Sequence, residues 1–126
     1  MNDSELLTLI TPFIAALRYH CRDSFISYSP RIFAKVVEEL QVKENSFAKC
    51  FRLYPHSIEV GKSCPDFHRG LSLALTAGLI AWECPDYTRF ILRLSLRSTA
   101  QILQGVADPE ALLIFAKTYI TKVELS

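Results

Sequence analysis

Apolar residues recur at helical spacing through most of the chain. Residues 6–21 and 32–40 each place their apolar side chains on one face of a helix. Residues 65–82 are apolar on nearly all sides, as a central helix would be, and residues 87–103 follow after a short break. A last stripe runs through residues 112–123. The pattern predicts a mostly α-helical fold, a compact bundle of about five helices.

Five of the six prolines stand where a helix could begin. Proline suits the first helical position, because the amide hydrogen that it lacks would be unpaired there. The residue before it is kept out of helical geometry and can act as a cap. We therefore expect Pro12 to kink or restart the first helix, and we expect Pro30, Pro65, Pro85 and Pro109 to mark helix starts. The candidate caps before the five prolines are Thr11, Ser29, Cys64, Cys84 and Asp108.

Residues 45–62 break the helical pattern. Phe51, Leu53, Ile58 and Val60 alternate with polar residues around a proline turn. Such alternation is typical of a small β-hairpin, here near residues 47–61. A helical turn followed by a loop fits the same residues, and the sequence does not decide between them.

Chain length and composition point to one domain with a large apolar surface to bury. A chain of 126 residues is typical of a single domain, here residues 1–126. Half of the residues are hydrophobic, which favours an interface with a second copy or with a partner protein. The net charge of +1 provides no general attraction to nucleic acid or to a membrane surface, so we expect neither as a partner.

The compartment is predicted from the N-terminus and the cysteines. The longest uncharged run, residues 70–82, is shorter than the roughly 20 residues that cross a bilayer. The first ten residues carry two acids and no basic flank, unlike a secretory signal. The four cysteines form no CxxC pair. We expect a cytoplasmic protein with free thiols and no bound metal.

The tripeptide Cys-Pro-Asp occurs twice, at Cys64 and at Cys84. If residues 65–82 form one helix, the two cysteines lie roughly 28 Å apart, too far for a disulfide or a shared zinc ion. Each copy is better explained as a helix start. A thiol at a helix N-terminus can have a lowered pKa, so Cys64 and Cys84 are candidate reactive thiols. Small buried hydrophobic residues are the alternative.

Arg89, Arg93 and Arg97 are spaced four residues apart in the fourth predicted helix. At this spacing they share one face, while the rest of the helix is apolar. Arginine binds carboxylates and phosphates through two parallel hydrogen bonds, so the stripe is a candidate partner-binding surface. A solvated helix edge is the alternative.

Gly70, Ala74 and Gly78 are also spaced four apart, within the third predicted helix. Glycine inside a helix costs about 1 kcal/mol relative to alanine, which calls for a reason. Small residues let a second helix approach closely, and they can also leave space for a flat ligand.

No catalytic motif is evident in the sequence. Walker, GxGxxG, HExxH and nucleophile-elbow motifs are all absent. His20, Cys21 and Asp23 are neighbours, but successive helical residues point about 100° apart, so His20 does not face Cys21. We expect a protein that is not an enzyme.

One segment resembles part of a known family. In residues 84–94, Cys84, Phe90, Leu92 and Arg93 fall in register with the bilin-attachment helix of phycobiliproteins. The family has Arg-Asp where this chain has Asp86 and Tyr87, and Pro85 directly follows the cysteine. The resemblance implies a tetrapyrrole held in a globin-like helical pocket.

These observations favour a non-enzymatic cytoplasmic adaptor or regulator that binds a partner protein and forms a homodimer. The alternative is a sensor domain that binds a small ligand or cofactor, with a tetrapyrrole as one such ligand.

Overall fold

The computed structural model describes residues 1–21, 23–55, 61–83 and 88–125. The helices are α1 (Asp3–His20), α2 (Pro30–Val42), α3 (Pro65–Thr76), α4 (Leu96–Gln104) and α5 (Pro109–Leu125). A 3₁₀ turn covers Ala48–Cys50. The strands are β1 (Phe25–Ser27), β2 (Tyr54–Pro55), β3 (Lys62–Ser63), β4 (Ile80–Trp82) and β5 (Arg89–Leu92). The prediction of a mostly helical fold is confirmed.

Proline and short polar side chains start the helices as expected. α2, α3 and α5 begin at Pro30, Pro65 and Pro109. The Ser29 hydroxyl accepts a hydrogen bond from the Ile32 amide at 3.3 Å, so it caps α2. Pro12 lies inside α1, which continues through it from Asp3 to His20.

The third and fourth predicted helices are partly wrong. α3 ends at Thr76, and Gly78 follows with φ of +78°, a backbone geometry that glycine adopts more readily than other residues. Among the described residues, β4 and β5 follow, and the next helix begins at Leu96. The Ser95 hydroxyl caps this helix by accepting from the Ser98 amide at 3.0 Å.

A three-stranded antiparallel sheet has the order β1-β5-β4. Ile91 of β5 is central, because it pairs with Phe25 of β1 on one side and with Ala81 of β4 on the other. Separately, Tyr54 pairs with Ser63 where β2 and β3 meet, in the region of the predicted hairpin. The sheet therefore joins residues that lie more than sixty positions apart in the chain.

The core is a cluster of aromatic rings around α1. Phe13 of α1 makes edge-on contacts with the rings of Phe33, Phe67, Phe115 and Tyr119, at centroid distances of 5.5 to 6.3 Å. The rings of Phe33 and Phe67 stack 4.0 Å apart and join α2 to α3. Because all five side chains are fully buried, they tie four helices to one another.

Candidate functional site

The three arginines do not share one helix face. Arg89 lies on strand β5, Arg93 follows that strand, and Arg97 lies in the first turn of α4. Their four-residue spacing therefore has no helical meaning, and the predicted stripe is wrong. The resemblance to a bilin-attachment helix fails for the same reason, because Phe90 and Leu92 belong to a strand.

Arg89 is engaged within the protein. Its guanidinium lies 2.6 Å from the Glu83 carboxylate and 4.4 Å above the centre of the Phe25 ring. It borders a half-open depression of about 490 Å³, whose other polar lining residues include His20, Cys21, Asp23 and Glu124. The ion pair and the ring contact hold Arg89 against β1 and β4.

The thiols in the described part of the chain are not activated. Burial, with a smaller effect from Asp66, raises the pKa of Cys64 to about 11. Burial likewise raises the pKa of Cys21 to about 11, although His20 lines the same depression. The expected lowering of the pKa is therefore wrong for Cys64. Cys84 lies outside the described residues.

Two of the three small residues are buried on α3. A Cβ atom added to Gly70 would lie 3.1 Å from Cγ1 of Ile10, so α3 approaches α1 closely at this point. Ala74 is buried on the same helix. Gly78 lies beyond the end of α3, with nothing within 4 Å of an added Cβ, and it shapes the turn into β4. The predicted three-residue stripe is therefore wrong at Gly78.

One helix face stays uncovered, and the sequence interpretation missed it. α5 buries one face in the core, and the opposite face consists of Glu110, Ile114, Lys117, Thr118, Thr121 and Leu125, here called the α5 outer face. Ile114 is 47% exposed and borders three shallow depressions, while Leu125 is 82% exposed. The available signal was that α5 is apolar on more sides than its core contacts need.

The described residues show neither a metal-ion cluster nor a helix that could cross a membrane. They contain no cluster of three or more His, Cys, Asp or Glu side chains that could hold a metal ion. None of the helices in the described part combines the length and the apolar character that a bilayer crossing requires.

The chain matches no family model, and comparisons with curated proteins and with solved structures find no significant match. Its function is therefore argued from its own geometry.

Proposed function

We propose that this chain is a non-enzymatic interaction module, an adaptor or regulator, that works as a homodimer through the α5 outer face. The observation that carries the proposal is Ile114, a large apolar side chain that is half exposed in the second turn of α5. Exposed apolar anchors set in shallow depressions are typical of protein–protein contacts.

Charge placement supports a second copy of the chain as the occupant. Glu110 and Lys117 flank Ile114 on the α5 outer face, and neither makes an ion pair among the described residues. If two α5 helices pack antiparallel and centre near Ile114, Glu110 of each copy lies opposite Lys117 of the other. A two-fold contact repeats each such pair, so the face is complementary to itself.

The remaining parts of the proposal rest on the cysteines and on two arginines. Cys21, Cys50 and Cys64 are free thiols, which suits a reducing cytoplasm. The protonated state of the Cys21 thiol beside His20 argues against a cysteine nucleophile.

Arg93 and Arg97 are exposed and unpaired among the described residues, and we propose them as contacts for an acidic partner protein.

Sedimentation of the wild type and of Ile114→Glu tests the homodimer. We expect the wild type to sediment at twice the chain mass of 14.3 kDa and the variant at the single chain mass. The reason is that a carboxylate at the centre of the contact would be buried opposite apolar groups. Leu96→Glu is the matched control, since Leu96 is 67% exposed on α4, away from this face.

A charge swap makes the test specific. Glu110→Lys alone should weaken the dimer through like charges, and adding Lys117→Glu should restore it. A wild type that stays monomeric at high micromolar concentration, or an Ile114→Glu variant that still dimerises, would show that the α5 outer face is not the contact.

A further inference from the structure

A second concave site lies on a different part of the molecule. The first turns of α2 and α3 and the strand β3 enclose a cavity of about 440 Å³. Its polar lining residues include Tyr28, Arg31, Lys35, Glu38, Lys62 and His68. These side chains come from two separate segments of the chain, residues 28–38 and 62–68, so the fold itself brings them together.

The cavity is positively charged. Arg31, Lys35 and Lys62 line it together with one carboxylate, Glu38, which lies 3.8 Å from Lys62. Arg31 and Lys35 are one helical turn apart, and neither has an ion-pair partner among the described residues. Like charges at this spacing destabilise a helix slightly, and a bound anion would reverse that effect.

The two helices add to the positive potential. Pro30 begins α2 and Pro65 begins α3, and both residues line the cavity. The positive ends of both helix dipoles therefore lie at this site.

An aromatic wall stands beside the cations. The Tyr28 hydroxyl lies 2.8 Å from Nδ1 of His68, and the Tyr28 ring packs on Phe67 and Trp82 at centroid distances of 5.6 and 5.0 Å. Burial raises the pKa of Tyr28, so the phenol keeps its proton. When the phenol donates that proton to Nδ1 of His68, the imidazole carries its own hydrogen on Nε2 and can donate it to a ligand.

We propose that this cavity binds a small phosphorylated molecule of the nucleotide type. Arg31 and Lys35 would contact the phosphate, and Tyr28 would provide the apolar wall for the rest of the ligand. Arginine and lysine recognise phosphate through charge-assisted hydrogen bonds, and ligand cavities combine a few such groups with an apolar lining.

Duplex DNA is the competing occupant. Winged helix-turn-helix domains have the same order of elements as α1, β1, α2, α3, β4 and β5 of this chain, if the β2–β3 pair is left aside. They also place the first strand beside the last, as β1 lies beside β5 here. Helix-turn-helix proteins place helix N-terminal turns near DNA. Here, however, the exposed residues along α3 after His68 are Ser72, Leu75 and Thr76, and none of them is an Arg, Lys, Asn or Gln that reads a base through two hydrogen bonds. Arg69 is held by Asp3 at 2.8 Å and by Asp66 at 3.6 Å.

Calorimetric titration in phosphate-free buffer tests the proposal. The probes are adenosine 5′-monophosphate, inorganic pyrophosphate, adenosine and a short DNA duplex. We expect saturable 1:1 binding of the nucleotide and of pyrophosphate, and no binding of adenosine. The nucleotide should shift the backbone amide resonances of Asp66 and Phe67 in the first turn of α3.

Arg31→Gln and Lys35→Gln should each weaken nucleotide binding by about tenfold or more, because each removes a charge-assisted contact. Both side chains are exposed and have no ion-pair partner in the described part of the chain, so the variants should keep the wild-type melting temperature. Arg97→Gln removes an equal charge outside the cavity and should bind as the wild type does.

Three results would overturn the proposal. The first is no binding of either phosphate probe at millimolar concentration. The second is wild-type affinity in both Arg31→Gln and Lys35→Gln. The third is binding of the duplex without the nucleotide, which would assign the same cations to a nucleic-acid surface.

Discussion

Replacing Tyr119 with phenylalanine removes one oxygen atom that joins three elements. The Tyr119 hydroxyl donates to the Ser27 carbonyl of β1 at 2.8 Å and accepts from the Ser29 amide, at the cap of α2, at 3.1 Å. Tyr119 is fully buried in α5. The variant keeps the ring and its packing. It loses only the two hydrogen bonds, so the Ser27 carbonyl and the Ser29 amide lose this partner.

The expected loss in the free energy of unfolding is about 2 kcal/mol. A backbone group left without its partner costs about 1 kcal/mol or more, and two such groups are affected here. For a domain of this size the melting temperature should fall by about 8 °C. Urea titration should show a lower midpoint with an unchanged slope, because the surface exposed on unfolding stays the same.

Alkaline pH provides a second readout of the same residue. Burial raises the pKa of Tyr119 above its usual range. Above about pH 10 the unfolded chain releases this proton first, so stability falls by about 1.4 kcal/mol per pH unit. Tyr119→Phe should make the decline shallower by this amount, while Cys21, Cys64 and Tyr28, whose pKa values burial also raises, keep their own contributions. Tyr19→Phe is the control: Tyr19 is 61% exposed and should change stability by less than about 0.5 kcal/mol. A Tyr119→Phe loss no larger than this control would refute the reasoning.

Two further outcomes are expected. Gly70→Ala should lower the free energy of unfolding, measured by urea titration, by about 1 kcal/mol, because crowding against Ile10 outweighs the gain in helix propensity. Gly105→Ala is the control and should be near neutral, because its added Cβ would lie 3.6 Å from the Ile102 carbonyl, an ordinary contact. Iodoacetamide at pH 8 should modify the exposed Cys50 well before the buried Cys64, as peptide mass mapping would show, because the pKa of Cys64 is raised to about 11. A Gly70→Ala variant more stable than the wild type would contradict the packing prediction. Equal modification rates for Cys50 and Cys64 would contradict the thiol prediction.

The helix starts could be predicted because they depend on local chemistry. Pro30, Pro65 and Pro109 each begin a helix, and Ser29 caps one, for reasons contained within four residues of sequence. The buried stripes of α1, α2 and α5 could be predicted as well, because helical periodicity is plain where one face is polar.

The sheet could not be predicted in the same way. Residues 79–82 and 89–92 are nearly continuous apolar runs, for which a buried helix and a buried strand have the same pattern. Their strand geometry depends on pairing with Phe25–Ser27, a contact between distant parts of the chain. The predicted arginine stripe is wrong because residues 89–92 form a strand and not part of a helix.

The cationic cavity could not be predicted from the sequence, for a related reason. Arg31 and Lys62 are thirty-one positions apart, and no spacing rule connects them. Only the packing of α3 beside α2, through the stacked rings of Phe33 and Phe67, brings the first turns of the two helices to one site.

The central position of α1 has a consequence for synthesis of the chain. α1 leaves the ribosome before its main helical neighbours, which are α3, α4 and α5. Tyr119, which joins α5 to the β1–α2 junction, is made well after α1. The nascent chain therefore exposes Phe13 and the apolar stripe of α1 until α5 has been made.

Such a domain folds only once α5 has emerged, rather than progressively from α1. Contacts between its two ends make the search for the native state slow compared with that of a simple helical bundle. During that interval the exposed stripe of α1 is a binding site for a chaperone, and removal of α5 would leave the newly made protein permanently in this state.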